Sequence, residues 1–302
     1  YLIERNIAGA GWLTIGATTT STATTYADIN LSAATNYEYR VSAINVVGTG
    51  LVSATASSNA GDVPDAPVLT LTALPGSTIQ LDWTVPTNNG FSITTYAVEK
   101  STDGTNWSPL TSINANTFQD TGLTNASTYY YKVTAVNQVG NSVFSSPVSI
   151  VAGDAPSQVT GLTATTTSNT SIDLAWTAPN ANGYAVSGYM IERSDDMGNT
   201  WSTLVADTQS LSVAYADTGL TTGVVYTYKV SGINTLGTGP ASATAATHAG
   251  GVPDAPVLTL TALPSNIIQL DWTTPADNGF GITTYQVEKS SDGGITWVAL
   301  TS

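Results

Sequence analysis

The 302 residues carry seven Lys plus Arg against 21 Asp plus Glu, a formal net charge of −14, with one histidine and no cysteine. That balance excludes a nucleic-acid binder, whose affinity rests on cations meeting phosphates, and a segment held to an anionic membrane surface. The missing thiols exclude disulfides, cysteine chemistry and cysteine-ligated metals, and no apolar run reaches the roughly 18 residues of a transmembrane helix. Hydrophobic residues at 41% can fill small cores, and charged residues at 9% stand far below the roughly 25% of an average soluble protein.

The chain opens in the middle of a pattern. Tyr1-Leu2-Ile3-Glu4-Arg5 matches Tyr189-Met190-Ile191-Glu192-Arg193 deep inside a later unit. Residues 1–61 therefore hold Leu31, Tyr37 and Tyr39 but no tryptophan of the kind that ends the second strand elsewhere. A short linker, Gly61-Asp-Val-Pro-Asp-Ala-Pro67, leads into residues 62–152. There VLTLTAL and TIQLDW alternate apolar and polar residues as half-buried strands do. Pro86 and Asn89-Gly90 punctuate a turn, ITTYAVEK makes a third strand, and Asp103-Gly104 turns the chain toward Trp107 and Leu110. FQDTGL gives a short strand and corner, TYYYKVTAV is the longest alternating run, and VFSSPVSIVA closes the unit. Seven strands with turns every 8–12 residues predict an antiparallel β-sandwich.

Residues 153–249 repeat the plan around Trp176, and residues 250–302 begin it again with Trp272 and Tyr285 before stopping at Ser302. The segment VPDAPVLTLTALP occurs at Val63–Pro75 and again 189 residues later at Val252–Pro264. Two alternating kinds of unit thus form a longer period, and the chain reads as a tandem array. The first and last segments would each leave an apolar face open, so we expect a window on a longer array. The proline-bearing linkers predict stiff connections, and with them a semi-rigid rod.

The residues of the middle units resemble the fibronectin type III family: Trp83, then Leu123 of TGLTNASTY, Tyr129, and the run Tyr131, Val133, Ala135, Asn137, Gly140. Trp176, Leu220, Tyr226, Tyr228, Val230, Asn234 and Gly237 repeat them. The resemblance implies an all-β chain of tandem seven-stranded, immunoglobulin-like sandwiches. It also implies that Tyr129 and Tyr226 form a tyrosine corner, a buried ring whose hydroxyl bonds nearby backbone.

Recurrence separates scaffold from site. Glu4, Glu99, Glu192 and Glu288 recur on one strand, and Asp28, Asp120 and Asp217 recur three residues before the corner leucine. Both sets read as strand-face or turn-capping residues and not as catalytic carboxylates. His248 beside a Gly-Gly linker lacks the setting of a catalytic triad, and Asp195-Asp196 in a turn lack the separation of glycosidase carboxylates. No catalytic residue and no cofactor is expected. Asp62 and Asp65 are weak calcium candidates, since acidic tandem modules can lock linkers that way. Trp12, Trp107, Trp201 and Trp297 could stack sugars, although their recurrence favours a structural role, and Asn30, Asn106, Asn125 and Asn169 begin N-x-S/T sequons.

The Thr-rich, Lys-poor texture is similar to long repeat proteins of prokaryotic cell surfaces. It points to a non-catalytic structural or adhesive segment of an extracellular surface protein or fibre. Its expected partners are further copies of the repeat and neighbouring chains, with surface glycans as further candidates, and no nucleic acid and no membrane insertion in this window. The alternative is a set of spacer or glycan-binding modules in a secreted polysaccharide-degrading enzyme.

Overall fold

The computed structural model describes residues 1–7, 9–16 and 22–301, and among them the regular elements are all strands. The chain divides into two compact units, Tyr1–Gly153 and Asp154–Ser302.

The first unit begins with an antiparallel sheet of β1 (Leu2–Ile7), β2 (Trp12–Gly16), β3 (Asn36–Asn45), β4 (Gly48–Val52) and β5 (Ala56–Asn59). Its order is β2-β1-β3-β4, with β5 also pairing β3. A complete sandwich follows, of β6 (Leu69–Leu74), β7 (Thr78–Trp83), β8 (Thr95–Ser101), β9 (Ser108–Ile113), β10 (Thr117–Asp120), β11 (Thr128–Val136) and β12 (Val148–Val151). One sheet runs β10-β7-β6 and the other β12-β11-β8-β9. Alternation sets the faces. Leu69, Ile79, Leu81 and Trp83 from the first sheet meet Tyr96, Val98, Tyr131, Val133 and Ala135 from the second in one buried cluster. A slip of one residue would turn every one of these side chains to solvent, and Trp83 at 3% exposed settles the register.

The second unit repeats the sandwich with β13 (Thr160–Ser168), β14 (Ser171–Thr177), β15 (Gly188–Ser194), β16 (Ser202–Val205), β17 (Ala214–Thr218), β18 (Val225–Asn234), β19 (Gly237–Thr238) and β20 (Ala245–His248). Its sheets run β13-β14-β17 and β16-β15-β18-β19, with β20 also on β18. Ile172, Leu174, Trp176, Tyr189, Ile191, Tyr228 and Val230 form its core. Two hairpins follow, β21 (Leu258–Leu263) with β22 (Ile267–Trp272), and β23 (Val287–Lys289) with β24 (Val298–Thr301). Trp272 meets Tyr285 at 5.4 Å as Trp83 meets Tyr96 at 5.6 Å, but it is 38% exposed where Trp83 is 3%.

The closing strand differs from expectation. Instead of one continuous run over VFSSPVSIVA, regular pairing is confined to β12. Upstream, serines take over the ladder. Ser142 and Ser145 each donate a main-chain N–H to β11, to Ala135 O and Val133 O, and each accepts the return N–H on its own Oγ, at 3.0 and 3.1 Å. Ser242 does the same for Val230 in the second unit. A side-chain oxygen stands where a main-chain carbonyl would lie, so the strand is displaced outward without leaving buried amides unsatisfied.

The tyrosine corner is present three times. Tyr37, Tyr129 and Tyr226 each accept, on the hydroxyl, the main-chain N–H five residues upstream: Ser32 at 2.9 Å, Thr124 at 3.1 Å and Thr221 at 3.0 Å. Tyr129→Phe strands the Thr124 N–H and should destabilise the sandwich by about 1–3 kcal/mol in denaturant unfolding. A midpoint unchanged within error would remove the corner's energetic role.

Candidate functional site

The recurrent carboxylates sort into two rows of ion pairs. Asp28, Asp120 and Asp217, read from sequence as strand-face or turn-capping residues, spend their carboxylates on tyrosines and cations, with Asp120 on β10 and Asp217 on β17. Asp120 and Asp217 turn inward and bridge the two sheets of their sandwich, and Asp28 makes the same bonds from the loop before β3. Asp120, on β10, accepts the Tyr131 hydroxyl of β11 at 2.8 Å and pairs with Lys100 of β8 at 2.8 Å. Asp217 receives Tyr228 at 2.9 Å and Arg193 at 3.0 Å, and Asp28 receives Tyr39 and Arg5, both at 3.0 Å. Each cation also lies over the ring of its corner tyrosine, at 4.7 Å for Lys100 and Tyr129. Burial, reinforced by the hydrogen bond to Asp28, pushes the Tyr39 phenol up to about 12, and the same causes raise Tyr131 and Tyr228 further. These tyrosines are fixed neutral donors.

The glutamates do lie on a strand face, as expected. Glu4, Glu99 and Glu192 pair with Arg40, Lys132 and Lys229 on the neighbouring strand at 2.9, 3.0 and 3.2 Å. Trp12, Trp107 and Trp201 cover those cations at 4.2–4.4 Å. A cation thus occupies one face of each of these indoles. Trp201 and Trp297 further donate Nε1–H to the turn carbonyls of Gly198 and Gly294, sealing the hairpin. Trp297, at 60% exposed, is the most open of the set. Six of the seven cations are consumed in these two rows, and the seventh, Lys289, stands 189 residues after Lys100 at the same position of the repeat.

Hairpin aspartates serve their own turns. Asp103 accepts the N–H groups of Thr105 and Asn106 and the Asn106 side-chain amide. These bonds hold its carboxyl below the usual range. Asp196 is held at about 2, chiefly by Thr200 and Ser194. Among the described residues no group of three His, Cys, Asp or Glu could hold a metal ion. The sequon asparagines are scattered. Asn30 is exposed in a left-handed turn, and Asn106 lies in the Asp103 turn. Asn125 accepts Ser77 Oγ–H, and Asn169 packs on Gly251.

The joints are the most elaborate polar construction in the chain. Asn89 has φ 50° and Gly90 φ 102°, a pair of left-handed residues that the Asn-Gly dipeptide accommodates best. Asn89 donates its side-chain amide to Val63 O at 2.9 Å and to Asp65 Oδ1 at 3.0 Å, while its carbonyl accepts Asp62 N–H at 2.9 Å. A Cβ on Gly90 would fall 2.7 Å from Ala34 N and 2.8 Å from Ala60 O, so only glycine can approach the preceding segment this closely. The Phe91 ring packs against Gly61, where a Cβ would be 2.6 Å from it. Asn137 locks the assembly by donating to the carbonyls of Asp62 at 2.8 Å and Asn88 at 3.2 Å. Asp62, one of the calcium candidates, accepts Val63 N–H on its carboxylate, and Asp65, the other, holds the Asn89 amide.

The second unit builds the same joint. Asn278 (φ 50°) donates to Val252 O and to Asp254 Oδ1, both at 2.9 Å, and Gly279 would carry its Cβ to 3.0 Å from Ala249 O. Phe280 packs on Gly250 and stacks with His248, ring centroids 4.1 Å apart. His248, the chain's only histidine, is therefore a packing residue of the joint. At the head of the second unit, Asn234 donates to Asp154 O, Ala181 O and Tyr184 O as Asn137 does in the first.

The model of the fibronectin type III domain family matches residues 65–151 and 154–248, more than half of the chain. The chain belongs to this family. Its relatives include exoglucanase B of Cellulomonas fimi, 31% identical over 74% of this chain and 21% of the relative. Myomesin-2 of Homo sapiens is 28% identical over 80% of this chain and 17% of the relative, and titin of Drosophila melanogaster is 28% identical over 92% of this chain and 2% of the relative. The chain thus spans about a fifth or less of the length of these proteins. Among solved structures, the FN1–FN3 domains of chicken CNTN1 align over 82% of this chain and 91% of theirs at 20% identity, with a TM-score of 0.42. Fibronectin type III repeats thus occur in relatives as differently named as an exoglucanase and titin.

Proposed function

We propose that this chain is a non-catalytic, stiff spacer segment of a long extracellular surface protein or fibre, whose partners are further copies of the same repeat and neighbouring chains. The interlocked joint supports this reading most directly. A linker free to swivel needs no left-handed Asn-Gly turn pressed to within van der Waals distance of the preceding segment. Nor does it need an asparagine bonding linker and turn together. Consumption of six cations in ion pairs fits a surface that does not recruit polyanions.

A second reading, spacer modules of a secreted polysaccharide-degrading enzyme, is favoured by the 31% identity to an exoglucanase. In both readings the segment separates functional parts at a fixed angle.

The absence of cysteine allows clean pairwise spin labelling. Ser57→Cys and Thr102→Cys, both exposed, place labels on either side of the first joint. A single narrow distance distribution is expected, broadening in Asn137→Ala and Gly90→Ala. A distribution in the parent chain as broad as that of a flexible tether would overturn the spacer reading.

A further inference from the structure

The same asparagines that lock the joints carry a chemical vulnerability. When glycine follows asparagine, the main-chain nitrogen is unhindered and can attack the side-chain carbonyl carbon. The joint requires this dipeptide twice over, asparagine for the clamp and glycine for the close approach. Yet it holds both reacting groups away from reaction. The leaving amide of Asn89 is tied to Val63 O and Asp65 Oδ1, and that of Asn278 to Val252 O and Asp254 Oδ1. The attacking nitrogens are tied as well: Gly90 N–H donates to Asn88 Oδ1 at 3.1 Å and Gly279 N–H to Asp277 Oδ1 at 3.2 Å.

We propose that Asn89 and Asn278 are deamidation sites gated by the joint, closed while it is docked and reactive when it opens. The inference rests on the interlocked joint of the spacer reading. In the open state a solvent base removes the Gly90 amide proton, and the nitrogen attacks Cγ of Asn89. The N–Cγ bond forms as the Cγ–Nδ2 bond breaks, and ammonia leaves. Water then opens the cyclic imide to aspartate or isoaspartate, so one water is consumed for each ammonia released. The product cannot return to the clamp. It has lost both donor hydrogens, and its new carboxylate faces that of Asp65 or Asp254. Each opening of a joint under load therefore risks a permanent loosening, and the array keeps a covalent record of strain.

The test is to incubate the full chain in mildly alkaline buffer, folded and in denaturant, and to follow amide-to-acid conversion at each asparagine by peptide mass mapping. Conversion at Asn89 and Asn278 is expected to be at least about tenfold slower in the folded chain, because reaction must wait for local opening. Asp65→Ala should accelerate Asn89 several-fold and leave Asn278 unchanged, and Asp254→Ala should do the reverse. Equal folded and denatured rates would overturn the proposal. So would an Asp65→Ala effect at both sites alike, or at neither. The distance measurement across the joint reads stiffness and not chemistry, so the two ideas can fail separately.

Discussion

Trp176→Ala is expected to destabilise its sandwich by about 3–5 kcal/mol, the range for truncating a large buried aromatic. The indole is 5% exposed and stands edge-on to Tyr189 at 5.1 Å. Its Nε1–H has no acceptor among the described residues, and neither has that of Trp83. The side chain is therefore retained for volume and contact, and its loss opens a cavity without releasing a hydrogen bond. Against a total of about 5–15 kcal/mol for a domain, the substitution should bring that sandwich close to unfolding. The two cores share no residue, so the first unit should melt at its parental midpoint. Intrinsic fluorescence and hydrogen exchange in denaturant will check both statements. A loss under about 1 kcal/mol would mean that Trp176 is not the keystone of its core.

The second large effect is expected from Asp217→Ala. Its side chain is 3% exposed and receives Tyr228 and Arg193, leaving a buried hydroxyl and a cation without their acceptor. Breaking a buried pair from one side costs about 3–5 kcal/mol, and partial hydration of Arg193 lowers the expectation to about 2–4 kcal/mol. Tyr228→Phe in the Asp217→Ala background should return part of the loss by removing the stranded hydroxyl. The same bond predicts alkaline sensitivity. Tyr131 and Tyr228 titrate above the ordinary phenol range because they are buried and donate to Asp120 and Asp217. The folded state therefore holds its protons more tightly than the unfolded chain. This contribution is intact below about pH 10 and falls away as pH rises toward the folded values. Tyr131→Phe and Tyr228→Phe together should flatten the alkaline limb of a pH–stability profile. An unchanged limb would show that these phenols do not control it.

The fold was legible because its signals are local. Trp83, the alternation of TIQLDW and TYYYKVTAV, and the six-residue step from Leu123 to Tyr129 each report a strand or corner from neighbouring residues alone. The inward turn of Asp28, Asp120 and Asp217 was not legible, because their partners lie on other strands, a tyrosine 11 positions later and a cation 20 or more positions earlier. A sparse signal was nonetheless present. In a chain with only seven cations, Arg5, Lys100, Arg193 and Lys289 recur at one position of the repeat, as the acids do. The break in the closing strand escaped because alternation does not reveal a serine accepting through its side chain. Asn-Gly reads as a turn from sequence, and only the docked carbonyls of the linker show that the turn is also a fastener.

The displaced serine segment has a consequence for life in an array. A regular outer strand offers a continuous template to any other strand, and repeated domains are held at high local concentration by their own tether. At Ser142, Ser145 and Ser242 the chain borrows side-chain oxygens to satisfy its inner neighbour. That stretch is therefore not a regularly paired strand and does not present the ladder a newcomer would extend. Strand-by-strand fusion is disfavoured at that border, so the two sandwiches of this chain can share one polypeptide without zipping into a common sheet.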